Sequence, residues 1–154
     1  MKNIFYYETK LGKIGIAEDG KGITDLYLAE KLSLEDMNIE ETPLIKETAK
    51  QLQEYLLGHR IEFDVPLSLK GTEFQKRVWN ELKDVPYGKT YSYKELAQKI
   101  GKPTAARAVG MANNKNPILI IIPCHRVIGA DGSLVGYAAG LDIKKQLLDM
   151  EKNN

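Results

Sequence analysis

The chain has 154 residues, 43% hydrophobic and 28% charged, with a formal net charge of +1, which is enough for a buried core and unlike a disordered or low-complexity polypeptide. No apolar run reaches membrane-spanning length, and Met1-Lys2-Asn3-Ile4-Phe5 has neither the n-region nor the h-region of a secretory signal. One cysteine excludes an internal disulfide and fits a reducing cytoplasm. One Cys with two His is also too few for a zinc site of the N/S type, so no metal is expected.

The first third reads as a β-meander. Ile4-Phe5-Tyr6-Tyr7, Ile14-Gly15-Ile16-Ala17 and Ile23 to Leu28 are strands, separated by Leu11-Gly12-Lys13 and Asp19-Gly20-Lys21-Gly22. The acidic segment Glu30 to Glu41 reads as a loop. Thr42-Pro43 is an N-cap followed by proline at the first helical position. The helix behind it aligns Ile45, Ala49, Leu52, Tyr55 and Leu56 and stops at Gly58. Ile61 to Val65 is expected to be a further strand. A boundary within Pro66 to Gly71 divides the chain into a domain over 1–66 and a domain over 67–154.

Charge supports that division. Residues 1–66 hold 8 Lys+Arg against 13 Asp+Glu, a balance of −5, and residues 67–154 hold 14 against 8, a balance of +6. A basic half is what a polyanion-binding domain presents. Its helices have clear start signals: Thr72-Glu73-Phe74-Gln75 and Ser92-Tyr93-Lys94-Glu95 are capping boxes, the first backed by a stripe of Phe74, Val78 and Leu82. The second opens a short helix ending at Gly101, and Lys102-Pro103-Thr104 leads into another from Ala105 to about Asn113. Two short helices around a glycine turn are either a helix-turn-helix or an ordinary αα-hairpin. Ala105, Ala106, Ala108, Gly110 and Ala112 leave the second helix almost without bulk, apart from Arg107. A slim helix with one projecting arginine suits a minor groove.

The apolar run Ile118 to Ile122 reads as a short strand buried on both faces. It delivers Pro123-Cys124-His125-Arg126, where a thiol at the end of a rigid element sits beside an imidazole and a guanidinium. That is how a protein presents an activated nucleophile. A cysteine hydrolase would use the same pair, but neighbours in an extended segment point opposite ways.

Four blocks resemble the O6-alkylguanine-DNA alkyltransferase family. They are Pro86-Tyr87-Gly88-Lys89-Thr90-Tyr91-Ser92-Tyr93, then Ala105 to Gly110, then Asn116-Pro117 through Cys124-His125-Arg126-Val127-Ile128, and finally Gly132 to Leu141. The resemblance implies an α+β protein, with an N-terminal RNase H-like α/β domain followed by a winged helix-turn-helix domain. It implies stoichiometric transfer of the alkyl group to Cys124 without a cofactor, from a guanine flipped out of double-stranded DNA bound through its minor groove by a monomer. His125, through a bridging water, would take the thiol proton and Glu151 would orient the imidazole. Asn116 would tie the recognition helix to the cysteine segment. Tyr93 would crowd the phosphate and then supply a proton to the base. Arg107 would fill the stack, with Lys94, Thr104, Ala105 and Ala106 also on the DNA. Backbone groups of Cys124, Val127 and Ala138 would read the guanine edge, and Tyr137 would wall the pocket. Ala139 stands where the family commonly has glycine.

Overall fold

The computed structural model describes residues 2–28 and 37–154. The chain divides into two compact units, Met1–Lys70 and Gly71–Asn154. The division lies at the far end of the Pro66 to Gly71 stretch expected to hold the boundary, rather than at 66/67, because residues 66–68 bridge to the first sheet. Ile23 N–H donates to the Pro66 carbonyl at 2.8 Å, and Ser68 N–H donates to the Ile23 carbonyl at 2.8 Å.

In the first unit, strands β1 (Lys2–Thr9), β2 (Gly12–Glu18) and β3 (Ile23–Leu28) form the expected antiparallel meander. A short β4 (Met37–Ile39) lies parallel to β1, so the sheet order is β3-β2-β1-β4. Sequence reading made residues 30–41 a loop. The part up to residue 36 lies outside the described residues, and the rest contains this edge strand. Helix α1 (Pro43–Leu56) starts where predicted, with the Thr42 hydroxyl accepting from Ile45 N–H. It buries Ile45, Ala49, Leu52, Tyr55 and Leu56, and it contacts β1 and β2, whose Ile4, Ile14 and Ile16 are fully buried. Burying one such aliphatic side chain contributes about 1.5–3 kcal/mol.

No strand forms over Ile61 to Val65. A side chain takes the backbone groups that a ladder would need: Gln51 accepts from Asp64 N–H at 2.8 Å and donates to the Asp64 carbonyl at 3.2 Å. Arg60 meanwhile donates to the Glu62 carbonyl.

The second unit is built on α2 (Glu73–Leu82), α3 (Tyr93–Lys99) and α4 (Ala106–Asn114). Both capping boxes form reciprocally, Thr72 with Gln75 and Ser92 with Glu95. Val78, Trp79 and Leu82 of α2 are the buried stripe, while Phe74 is only half-buried. The Trp79 indole donates to the Ala112 carbonyl at 2.9 Å near the end of α4, an acceptor it shares with Lys115 N–H. Gly101, at φ +77°, turns α3 into α4. Strands β5 (Tyr91–Ser92) and β6 (Val127–Ile128) pair in parallel, which brings the start of α3 beside the residues just after Cys124. Helix α5 (Leu141–Asn153) ends the chain and packs against the Cys124 turn. No helix among the described residues is long and apolar enough to cross a membrane.

Candidate active site

The segment Ile118 to Ile122 is buried as expected, with Ile118, Leu119, Ile120 and Ile122 at most 4% exposed. It is not a strand. Ile120 adopts φ +72°, and Ile121 N–H donates to the Leu119 carbonyl at 2.8 Å, which makes a three-residue γ-turn of the positive-φ type. Pro123 follows at φ −79°, ψ 63°, with Cys124 N–H donating to the Ile122 carbonyl at 2.7 Å, an inverse γ-turn. Asn116 makes this folding possible. Its amide oxygen accepts from Ile118 N–H at 2.9 Å and its amide nitrogen donates to the Ile122 carbonyl at 2.8 Å, so one side chain closes both sides of the loop.

Cys124, His125 and Arg126 then form a single 3-10 turn rather than the extended segment expected from sequence. Adjacent side chains on a helical turn need not point opposite ways, and the objection to a thiol–imidazole relay weakens accordingly. Cys124 is 2% exposed. Burial pushes its thiol up to about 11, against the opposing pull of the Asn116 hydrogen bond and then of the Lys144 charge. The thiol is therefore protonated at neutral pH.

His125 is fully buried, and its Nε2 lies 2.7 Å from Glu151 Oε2. Burial holds the imidazole below its ordinary 6.5, against the opposing effect of Glu151. The contact is thus a neutral N–H donated to a carboxylate. That leaves Nδ1 as the basic nitrogen, and it is buried without a hydrogen-bond partner among the described residues. Glu151 gathers more than the histidine. Arg126 grips it through Nε at 2.8 Å and Nη2 at 2.9 Å, and Gly88 N–H donates to it at 3.2 Å. Burial raises this carboxyl, but the bonds from His125 and Arg126 outweigh it and hold the group well below the carboxylate range. Arg126 also donates to the Val85 carbonyl and stacks over Tyr87.

These shifts set an acid limit. A histidine buried neutral loses stability as pH falls through 6.5, because only the unfolded chain takes the proton. A carboxylate with a depressed pKa adds a further loss once pH falls below its ordinary 4.5. Urea unfolding of the second unit should therefore show falling stability from pH 7 to pH 4, and a flat profile would contradict this network.

Sequence reading missed two residues. Lys144 is fully buried, and its ammonium donates to the carbonyls of Val127 at 2.6 Å, Val135 at 2.9 Å and Gly136 at 3.1 Å. Burial lowers it to about 8, although the Cys124 charge opposes that shift. It staples the loop over 129–140 to the residues that follow Cys124. Its signal was in α5, whose buried stripe is Lys144, Leu147 and Glu151, two charges where apolar residues are expected. Asn113 is the second. It is 1% exposed and reaches the Cys124 carbonyl from α4 at 3.5 Å.

Tyr93, half-buried at the first position of α3, donates its hydroxyl to the Val135 carbonyl at 2.9 Å. Burial and then the Cys124 charge raise it. Its ring lies over Gly110 of α4, where a Cβ would meet it at 3.6 Å. The Tyr137 hydroxyl is buried and held well above its ordinary value by burial first and then by the charges of Cys124 and Glu151. Tyr93, Cys124, Tyr137 and Lys144 therefore share one site. Val127 N–H donates to the Cys124 carbonyl, and its own carbonyl accepts from Lys144 with one lone pair left over. Ala138 is exposed and Ala139 is half-buried. Arg107, Lys94 and Thr104 are exposed, and Ala105 and Ala106 are half-buried at the start of α4. Arg107 stands one turn before Gly110 and so shares the face that Tyr93 covers.

Residues 73–153 match the family model described as 6-O-methylguanine DNA methyltransferase, DNA binding domain, and residues 4–69 match its ribonuclease-like domain. The methylated-DNA–protein-cysteine methyltransferase of Methanosarcina barkeri is 52% identical over 150 residues, covering 96% of this chain and 95% of that one. Its namesake from Methanosarcina acetivorans is 49% identical over 148 residues, with 94% and 95% covered. The crystal structure of Mycobacterium tuberculosis OGT in complex with DNA superposes with a TM-score of 0.92 at 45% identity, covering 98% of this chain and 93% of that one. With both of its units matched and full-length relatives near half identity, the chain belongs to the 6-O-methylguanine DNA methyltransferase family.

Proposed function

We propose that this protein repairs O6-alkylguanine in duplex DNA by moving the alkyl group from the base oxygen to the Cys124 sulfur, once per molecule, in the cytoplasm. The observation that carries the reading is the buried network His125–Glu151–Arg126 on the turn that holds Cys124, which leaves a neutral imidazole with its Nδ1 open to a proton. The thiol proton passes to His125 Nδ1 through a bridging solvent molecule. The resulting imidazolium is stabilised by Glu151, which Arg126 keeps ionised. The thiolate attacks the alkyl carbon, the carbon–oxygen bond breaks, and the electron pair returns to the guanine. A proton from Tyr93 neutralises the departing base, and the imidazolium gives up the thiol proton through solvent to restore the Tyr93 hydroxyl. The thioether left on Cys124 is a poor leaving group, and no second nucleophile among the described residues is placed to remove it, so the protein is consumed.

Because a base in the stack shields its O6 substituent, the nucleotide must leave the helix. Arg107, on the slim face of α4, fills the space it vacates, while Lys94 and Thr104 meet the phosphates. The test is intact-protein mass spectrometry after incubation with duplex containing O6-methylguanine. One methyl group per chain on the Cys124 peptide, followed by inactivity, is expected. Several repaired lesions per chain, or a methyl elsewhere, would overturn the reading.

A further inference from the structure

The γ-turn before the nucleophile has a residue type that its geometry disfavours. Positive φ costs an L-residue roughly 1–2 kcal/mol in general, and a β-branched residue there is a true outlier. Yet position 120 is isoleucine at φ +72°, 1% exposed. Strain of this kind persists only where the surroundings over-determine it, and it concentrates at functional sites. Here the surroundings are identifiable. The Asn116 amide spans the turn from Ile118 N–H to the Ile122 carbonyl, Ile122 N–H donates to the Ile118 carbonyl at 3.1 Å, and the Ile120 side chain is buried in the second unit.

We infer that Ile120 is a positioning residue for Cys124: burial of its side chain holds the backbone of the γ-turn in the left-handed region, and that backbone conformation sets where the thiol sits. The reason lies in the chain path. Reversing direction within three residues lets Ile118 and Ile122 share one asparagine. Only then does the inverse γ-turn at Pro123 place Cys124 at the start of the 3-10 turn that carries His125 to Glu151. An extended residue at 120 would part the two sides of the Asn116 clamp and swing the thiol away from the imidazole. The side chain is thus an anchor for an unfavourable backbone state, and no contact with substrate is assigned to it.

This inference rests on the alkyl-transfer reading and leads to an inverted substitution order. At an ordinary buried site, alanine replaces isoleucine better than glycine does. At 120, Ile120→Ala loses the anchor and keeps the conformational cost, so the turn relaxes. Ile120→Gly also loses the anchor, but it adopts φ +72° freely. In single-turnover assays with saturating O6-methylguanine duplex, Ile120→Ala should transfer at least tenfold more slowly than the natural protein. Ile120→Gly should recover to within about threefold of it, and duplex affinity should be unchanged in both. In urea, the glycine variant should have the larger folding constant of the two by roughly fivefold. The pH profile separates positioning from loss of folded protein. The alanine variant's rate should keep rising at alkaline pH, since its thiol must ionise unaided, whereas the natural and glycine forms level off. Should either variant unfold in plain buffer, the same pair is compared in sucrose, which strengthens burial and preserves the order. A rate for Ile120→Ala equal to or above that of Ile120→Gly would overturn the inference. If the natural protein itself gains no methyl group, the alkyl-transfer reading fails, and the urea order alone still decides whether residue 120 holds the turn.

Discussion

Replacing Glu151 by glutamine should abolish useful repair and destabilise the second unit in the same variant, by mechanisms that can be separated. The carboxylate is 1% exposed and accepts from His125, Arg126 and Gly88. Glutamine keeps the shape but removes the charge, which leaves the buried Arg126 guanidinium uncompensated. Breaking a buried pair from one side costs about 3–5 kcal/mol. The chemical loss has a different origin. Without the carboxylate, the imidazolium formed when Cys124 gives up its proton has no counter-charge, and the tautomer with a basic Nδ1 is no longer imposed. General-base assistance of this type is worth roughly 10²–10⁴-fold in rate. Pairing Glu151→Gln with Arg126→Met tells the two effects apart. Removing both charges should restore much of the urea stability, because a buried pair replaced by uncharged side chains is often near neutral. Transfer should stay slow by at least about 100-fold. Recovery of transfer together with stability would mean that Glu151 serves the fold alone.

The residues of that network differ in how far the sequence reveals them. Caps are the most legible elements because their chemistry is complete within three residues. Thr42, Thr72 and Ser92 each accept the backbone N–H three positions on, as their spacing predicts. Strands β1 to β3 follow from runs of apolar residues between glycine turns, and β3 has the bounds expected of it. The two failed strands, Ile61 to Val65 and Ile118 to Ile122, have one cause. In each, an amide side chain bonds to the backbone and replaces a ladder: Gln51 from thirteen residues away and Asn116 from within the loop. Hydrophobic periodicity reports burial, which was right at 118–122, and says nothing about where the backbone bonds go. Strand β4 is three residues with an exposed pattern, and it is a strand only because β1 offers it an edge. The resemblance singles out Cys124, His125 and Glu151, and the structure joins His125 to Glu151 on the turn that holds Cys124. Lys144 is legible only as a charge within a buried stripe.

Arg107 should matter only where there is a helix to invade. It stands exposed in the first turn of α4, flanked by alanines, and makes no hydrogen bond or ion pair among the described residues. Such an arginine is dispensable for the fold, so Arg107→Ala should leave urea unfolding within the range of ordinary surface changes, about 0.5 kcal/mol. Flipping a base costs a few kcal/mol of stacking and pairing, and a side chain placed in the gap offsets part of it. Losing about 2 kcal/mol of that offset would slow repair of O6-methylguanine in duplex DNA by roughly 30-fold. Reaction with free O6-methylguanine has no gap to fill and should change less than about threefold, since binding of the free base makes no call on stacking energy. The salt dependence supplies an independent reading. If the guanidinium also neutralises a phosphate, the slope of log affinity against log salt should fall by about one unit, whatever the sequence around the lesion. Equal losses on duplex and free base would assign Arg107 to the architecture of α4 and remove it from the flipping step.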